Sequence, residues 1–338
     1  MGAASSDNQL VRPPEDTDFH CMSNVNVVFM GSEVFSLPIL RSLASDEADA
    51  GLHLTGIVTQ PDRPAGRGRR LAENPVKKYG VEHNVPVLQP ERLRDDSSVA
   101  EVLGLKPDLT VVASYGQIVP RVVLDAPGHG SLNLHPSLLP RYRGASPVSG
   151  PILAGDPQTG VTLMLMRPKM DAGPILAQET VPIDPRETAG ELEIRLADMS
   201  AQLLNAHIGP WLRGEIRPVE QDDGLATYTT RLEKSDGAID WEQPAELIAR
   251  QVRAFNPWPV AFTHWRGRLM RILRAHALPG HDLPGRVSFH APEPLTVGTR
   301  DGLLAVDEIQ LAGGKPMRAV ELVRGYPALV GADLGRPN

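Results

Sequence analysis

The chain has 338 residues, 41% of them hydrophobic, a formal net charge of −7 and one cysteine, Cys21. That is enough apolar material for more than one core, so two domains are expected, and the lone cysteine excludes a disulfide framework or a cysteine-based zinc site. No apolar run reaches the length of a membrane span and no signal peptide opens the chain, which predicts a soluble, cytoplasmic protein; its acidic balance confines any nucleic-acid surface to a local patch.

Residues 1–22 are polar, proline-bearing and aperiodic, and read as a disordered tail. MGAASS matches only the loose N-myristoylation pattern, and Met22 stands as an alternative start. A first domain is expected over residues 23–211. VNVVFM (25–30) reads as a strand, followed by GSEVFSLPILRSL, a loop running into a helix. LHLTGIVT (52–59), PDLTVVAS (107–114), SLNLH (131–135) and GVTLMLM (160–166) supply four more strands, with helical segments between them. This alternation predicts an α/β domain with a parallel, doubly wound sheet. Thr188 and Glu191 form a capping box, and Leu192, Leu196, Met199 and Leu203 mark the apolar stripe of the helix it opens. GSEVFS is not a Gly-x-Gly-x-x-Gly turn and AGRGRR has no strand directly before it, so a dinucleotide is not expected.

Residues 212–229 are polar and aperiodic and read as a linker. In the second domain, residues 230–331, a helix from Ala245 to Phe255 precedes VAFTHW (260–265), LMRILRA (269–275), GRVSFH (285–290), LTVGT (295–299) and LLAVDEIQL (303–311), with Asp301–Gly302 as a hairpin turn. Five short strands and a helix predict a small OB-like β-barrel.

The chemistry concentrates in GSLNLHPSLLPRYRGASP, which starts at Gly130. Asn133 and His135 are two apart on a strand, hence on one face, and Pro136 ends the ladder because it has no N–H to give. An amide and an imidazole then emerge together at a strand's carboxyl end, where open α/β sheets place ligands. On the pair alone, a core histidine beside a turn asparagine explains the pattern equally well.

Two basic clusters break the acidic background. Arg250, Arg253, Arg266, Arg268, Arg271 and Arg274 have no acidic residue among them, and the loop over residues 60–78 carries Arg63, Arg67, Arg69, Arg70, Lys77 and Lys78 against Asp62 and Glu73. Arginine forks suit phosphate. One such cluster is ordinarily a solvated surface; two in an acidic protein predict a track for an RNA backbone.

FMGSEVFSLPIL, TQPDRPAGRG, NLHPSLLPRYRGASPV, MDAGPIL and RAFNPWPVAF, in this order over roughly residues 25–330, resemble the signatures of the methionyl-tRNA formyltransferases, a family that depends on 10-formyltetrahydrofolate. The resemblance implies a Rossmann-like formyltransferase fold followed by the OB-like domain that helps to hold tRNA. It implies Asn133, His135 and Asp171 as the catalytic trio. Formyl transfer to an amine develops a negative oxygen that needs preorganised donors, for which Asn133 and His135 are suited, and requires a base; Asp171 is expected to orient His135 and to accept a proton through water. Folate is expected near Tyr115, Gly116, Gln117 and Ile118, with Tyr115 and Ile118 offering stacking or apolar surface, and near Ser137, Leu138, Leu139 and Pro140, with a cis Leu139–Pro140 bond. Initiator methionyl-tRNA is the expected partner, held by Arg63, Arg67, Arg69, Arg70, Arg250, Arg253, Arg266 and Arg268. No metal is needed, because the donor is already an activated amide; a monomer without membrane contact is expected. Arg67 is the best candidate for insertion near the end of the acceptor stem, on a loop over residues 60–74 expected to be poorly ordered without RNA. Pro174 stands where the family often has a polar residue. Two other readings remain: a folate-dependent formyltransferase acting on a nucleotide or amino sugar, which leaves the second basic surface unexplained, and a non-catalytic RNA-binding module, against which the intact trio argues.

Overall fold

The computed structural model describes residues 25–45, 51–65 and 70–335. The N-terminal tail, Arg67 and Arg69 therefore lie outside the described residues.

In the first domain β1 (Val25–Gly31) leads to α1 (Ser36–Ala44), and β2 (Leu52–Val58) runs on to a small hairpin, β3 (Arg63–Ala65) and β4 (Arg70–Ala72). There follow α2 (Pro75–Glu82), β5 (Val87–Leu88), α3 (Asp96–Gly104), β6 (Leu109–Ala113), α4 (Arg121–Leu124), β7 (Ser131–His135), β8 (Arg143–Gly144), α5 (Ser149–Ala154), β9 (Gln158–Leu165), β10 (Ile175–Pro182) and α6 (Ala189–Leu212). The main sheet has the order β10-β9-β7-β6-β1-β2-β5. The five strands from β7 to β5 are parallel, as expected, but β9 runs antiparallel to β7, and β10 antiparallel to β9. The sheet is therefore mixed. The short connection from β9 to β10 makes a hairpin, which parallel strands cannot use.

β1 shows why the parallel strands read as continuous apolar runs. Val27 and Phe29 enter a core with Ile39 and Leu40 of α1 and Leu192, Leu196 and Leu203 of α6. Val28 and Met30 face the other way, into a core with Val102 of α3 and Val123 and Leu124 of α4. With helices on both faces, no strand residue is left a polar side to alternate with. The loop after β2 is rooted firmly: Asp62 accepts from Asn74 N at 3.1 Å and pairs with Lys77 Nζ at 2.5 Å, so Lys77 is not a free cation. Its flanks pair as the β3–β4 hairpin instead of lying loose.

The segment expected as a linker is a strap across the first domain. Val219 exchanges two 2.8 Å backbone hydrogen bonds with Ile175, and β11 (Tyr228–Thr229) pairs in parallel with β8. Its polar, aperiodic composition reflects a chain that packs through hydrogen bonds rather than an apolar face.

The second domain contains α7 (Ala245–Ala254), β12 (Ala261–Trp265), β13 (Arg268–Leu278), β14 (Val287–His290), β15 (Glu293–Gly298), β16 (Leu303–Leu311), β17 (Met317–Arg318) and α8 (Ala319–Gly325). The antiparallel order is β12-β13-β16-β15-β14, with β17 on β16. Residues 331–335 bridge the two edges: Gly331 N donates to Val287 O, and Gly335 N to His264 O. The expected Asp301–Gly302 turn joins β15 to β16, with Gly302 at φ 82°. Ile248, Val252, Met270, Ile272, Val297, Leu304 and Ile309 fill this domain's own core. Among the described residues no helix is long and apolar enough to cross a membrane.

The domains are joined by hydrogen bonds as well as by Ala254 and Phe255, which enter the first core. Ser149 Oγ donates to Ala254 O at 2.8 Å and Gly190 N to Asn256 O at 3.0 Å. Glu191 closes the expected capping box with Thr188 and also pairs with Arg274. Arg274, then the Thr188 N–H, lowers the Glu191 carboxyl to about 2. A depressed carboxyl stabilises the fold at pH values above its ordinary 4.5 and loses that contribution as pH falls toward 2. Glu191→Ala is accordingly expected to cost roughly 1 kcal/mol of stability at neutral pH, for a lost cap and an exposed ion pair, and so to lower Tm. The gap from the parent protein should narrow as thermal melts are taken from pH 5 down through this window.

Candidate active site

β7 delivers its residues alternately. Leu132 and Leu134 enter the first core, while Asn133 and His135 face the opposite side at the strand's carboxyl end, where the parallel sheet meets the β9–β10 hairpin. Both are well buried, at 9% and 5% exposure. His135 Nε2 donates to Tyr142 O at 3.0 Å. The carbonyl can only accept, so the proton is fixed on Nε2 and Nδ1 is left facing Asp171 Oδ1 at 3.9 Å. Asp171 was expected to orient His135; Tyr142 O does so instead, because the carboxylate stands too far off for a hydrogen bond. Asn133's amide makes no side-chain hydrogen bond within the described residues, although it is nine-tenths buried.

Asp171 sits between β9 and β10 with φ 49°. Its Oδ2 accepts from Gly144 N at 2.8 Å, which leaves Oδ1 turned toward the imidazole. The segment 142–144 thus holds His135 by one carbonyl and Asp171 by one N–H. A single ligand atom placed between Nδ1 and Oδ1 can lie about 2.8 Å from both. The free amide, the imidazole and the carboxylate therefore form a site that can polarise a carbonyl oxygen and take a proton from an incoming nucleophile.

The turn after β7 is a scaffold. Thr162 Oγ1 donates to Ser137 O at 2.7 Å and accepts from Leu139 N at 3.1 Å, and Gln178 Nε2 donates to Leu139 O at 2.9 Å. Ser137 and Leu139 are buried, Leu138 and Pro140 half-buried, and Leu139–Pro140 is cis as expected.

The residues expected at a folate site divide. Tyr115, 2% exposed, is packed with Leu93 and Val119, its hydroxyl buried without a partner and its phenol pushed upward by burial; the ring offers no stacking surface. Gln117 braces the segment before α3, accepting from Leu93 N and donating to Pro90 O. Gly116, at φ 79°, lies so close to Gln60 that a Cβ would be 2.2 Å from Nε2. Ile118, 89% exposed, is the one with apolar surface to offer.

The arginines divide too. Arg250 Nη1 donates to Ala154 O at 2.9 Å and Arg253 Nη1 to Glu187 O at 3.2 Å, so both hold the domain junction. Arg266 and Arg268 are exposed over the rings of Trp265 and Tyr326, at 5.3 and 5.8 Å, and Arg63 is exposed on β3. For Arg70 the backbone alone is described. Sequence reasoning missed Arg143 and Gln221. Arg143 lay inside the quoted PRYRG run, but Gln221 carried no local signal.

Two domain models match the chain: formyl transferase over residues 24–208 and formyl transferase C-terminal domain over residues 231–327. The chain belongs to the formyl transferase family. This formyl transferase is 46% identical over 313 residues to the methionyl-tRNA formyltransferase of Roseiflexus sp. strain RS-1, covering 92% of this chain and 95% of that one. It is 42% identical over 316 residues to that of Halalkalibacterium halodurans, covering 92% and 98%. In fold it is similar to HypX from Aquifex aeolicus in complex with tetrahydrofolic acid, with TM-score 0.59 and 18% identity over 92% of this chain and 49% of HypX. It is likewise similar to an N-formyltransferase from Helicobacter canadensis in complex with folinic acid and dTDP-3-aminofucose, with TM-score 0.59 and 16% identity over 83% and 99%.

Proposed function

We propose that this formyl transferase moves the formyl group of 10-formyltetrahydrofolate to the α-amino group of methionine on initiator methionyl-tRNA, in the cytoplasm. The observation that carries the chemistry is Asn133, a residue 9% exposed whose amide makes no side-chain hydrogen bond within the described residues, beside the facing pair of His135 Nδ1 and Asp171 Oδ1. The relatives named methionyl-tRNA formyltransferase match across both domains, which supports tRNA as the acceptor.

The unpartnered amide at the strand end and the exposed Ile118 fit a donor with a polar reacting group and a flat apolar body. The folate supplies an activated formyl group. Asn133 donates its amide N–H to the formyl oxygen as negative charge develops there. His135, once protonated on Nδ1, adds a charged donor to that oxygen. Asp171 takes, directly or through water, the proton that the acceptor's ammonium must lose before the free amine attacks. The intermediate then collapses as the formyl carbon's bond to the folate nitrogen breaks, and that nitrogen takes up a proton and leaves as tetrahydrofolate. The Nε2–H bond to Tyr142 O keeps the ring from turning away.

Of the arginines expected on the RNA track, Arg63, Arg266 and Arg268 are exposed, with Trp265 and Tyr326 stiffening two of them. Arg67, Arg69 and Arg70 are proposed to join them from the loop. Arg266→Ala with Arg268→Ala is expected to weaken tRNA binding and flatten its salt dependence, by about one unit of slope for each phosphate no longer neutralised. Arg250→Ala with Arg253→Ala should instead lower Tm. Equal salt slopes in the first pair and the parent protein would remove those two from the track.

The deciding experiment mixes purified protein and labelled formyl donor with charged initiator tRNA, glycinamide ribonucleotide or dTDP-3-aminofucose. Label on the tRNA is expected. Label on either small amine alone assigns the chain to another formyl transferase, and label on none alongside tight RNA binding assigns a binding role.

A further inference from the structure

We infer that Gln221, on the strap between the domains, is a positioning residue for Asp171, and that it acts jointly with the buried Arg143. The inference rests on Asp171 acting in formyl transfer.

Three observations converge. Gln221's carboxamide is used at both ends: Nε2 donates to Asp171 O at 2.9 Å and Gly173 O at 2.7 Å, while Oε1 accepts from Arg143 Nε at 3.1 Å and Nη2 at 2.8 Å. Arg143's side chain is fully buried, and its remaining fork reaches Asp223 Oδ1 at 2.8 Å and Tyr228 Oη at 3.3 Å, both on the strap. Arg143 is also the middle residue of the segment whose ends hold two of the trio, through Tyr142 O on His135 and Gly144 N on Asp171.

Asp171 is therefore held from two sides with one root. Gly144 fixes its carboxylate and Gln221 fixes its backbone, and Arg143 joins the two holds. The backbone hold matters because a φ of 49° is an uncommon conformation for a residue with a side chain, and it persists only where the surroundings impose it. Two carbonyls two residues apart, both turned to one amide group, impose it here. The 3.9 Å gap between Nδ1 and Oδ1 is the quantity so set. A displacement on the order of 1 Å at a reacting group costs about 10²-fold in rate.

Gln221→Glu separates positioning from folding. A carboxylate still accepts from Arg143, so the buried guanidinium keeps its partner. It has no N–H for Asp171 O and Gly173 O, and it opposes both carbonyls with a negative charge. The full-length variant is expected to lose about 100-fold in kcat, with KM for both substrates near the parent values and a loss of Tm from the two carbonyls left without a donor. Gln221→Ala should lose kcat similarly and also lower Tm. Turnover is expressed per folded molecule, from the folded fraction at the assay temperature, so a purely structural role for Gln221 leaves it at the parent value. That result in either variant overturns the inference. Asp171→Asn, measured alongside, tests the reading beneath it. Full turnover in Asp171→Asn overturns the role of Asp171, whereas an inactive Asp171→Asn beside a fully active Gln221→Glu overturns the positioning role alone.

Discussion

His135→Ala is expected to lower formylation turnover by about 10³-fold or more, and Asn133→Ala by about 10²–10³-fold, with tRNA and folate affinities near the parent values. Asn133 has no side-chain hydrogen-bond partner among the described residues, so its removal breaks no hydrogen bond there; whatever turnover is lost reports on the bound substrate. His135 differs, because Tyr142 O loses its donor and a small cavity opens in a site that is 5% exposed. That costs on the order of 1–3 kcal/mol of stability and warrants a melting curve beside the kinetics. Single-turnover rates with saturating donor and charged tRNA make the measurement. Parent-like rates in Asn133→Ala would leave the oxyanion without its proposed donor and shift that role to His135 alone.

How far the sequence reaches is visible at particular residues. The parallel strands were legible because burial on both faces leaves runs such as VNVVFM with no polar alternation, and α6 because Thr188 and Glu191 are a local capping pair. The opposite direction of β9 was not, since an apolar strand reads alike in either direction and pairing is a long-range choice. At the site, the shared face of Asn133 and His135 follows from a two-residue period. The tautomer of His135 does not: it depends on Tyr142 O, which a left-handed residue at φ 61° presents. Gln221 was hidden for a similar reason, because its partners lie 50 and 78 residues away. Charge counting hides a second role. Arg250, Arg253 and Arg274 are free of acidic neighbours in sequence, yet the first domain supplies them with two carbonyl acceptors and the Glu191 carboxylate.

Gly173→Ala is expected to abolish most turnover and to destabilise the first domain, through the same loop that carries Asp171. A Cβ on residue 173 would lie 1.7 Å from Leu165 O and 2.9 Å from its carbonyl carbon. Both are backbone atoms, so no side-chain rotation relieves the clash. Leu165 is itself held from two directions, by pairing with Leu132 of β7 and by its N–H bond to Pro174 O at 2.9 Å. The added methyl therefore moves the loop rather than the strand. Overpacking of this kind costs roughly 1–3 kcal/mol. The shift passes to Gly173 O, which Gln221 grips at 2.7 Å, and to Asp171 two residues earlier. Gly104→Ala is the control, because a Cβ there meets nothing within 4 Å at the end of α3. The pair is read by Tm and by kcat with KM for each substrate. Gly104→Ala should match the parent in all of them. Gly173→Ala should lose kcat by about 10²-fold beyond what its folded fraction explains, because Asp171 displaced from His135 Nδ1 no longer reaches the proton it must take. Retention of parent turnover per folded molecule would mean that the loop absorbs the methyl without moving the carboxylate, and that the close approach of Gly173 to Leu165 serves stability alone.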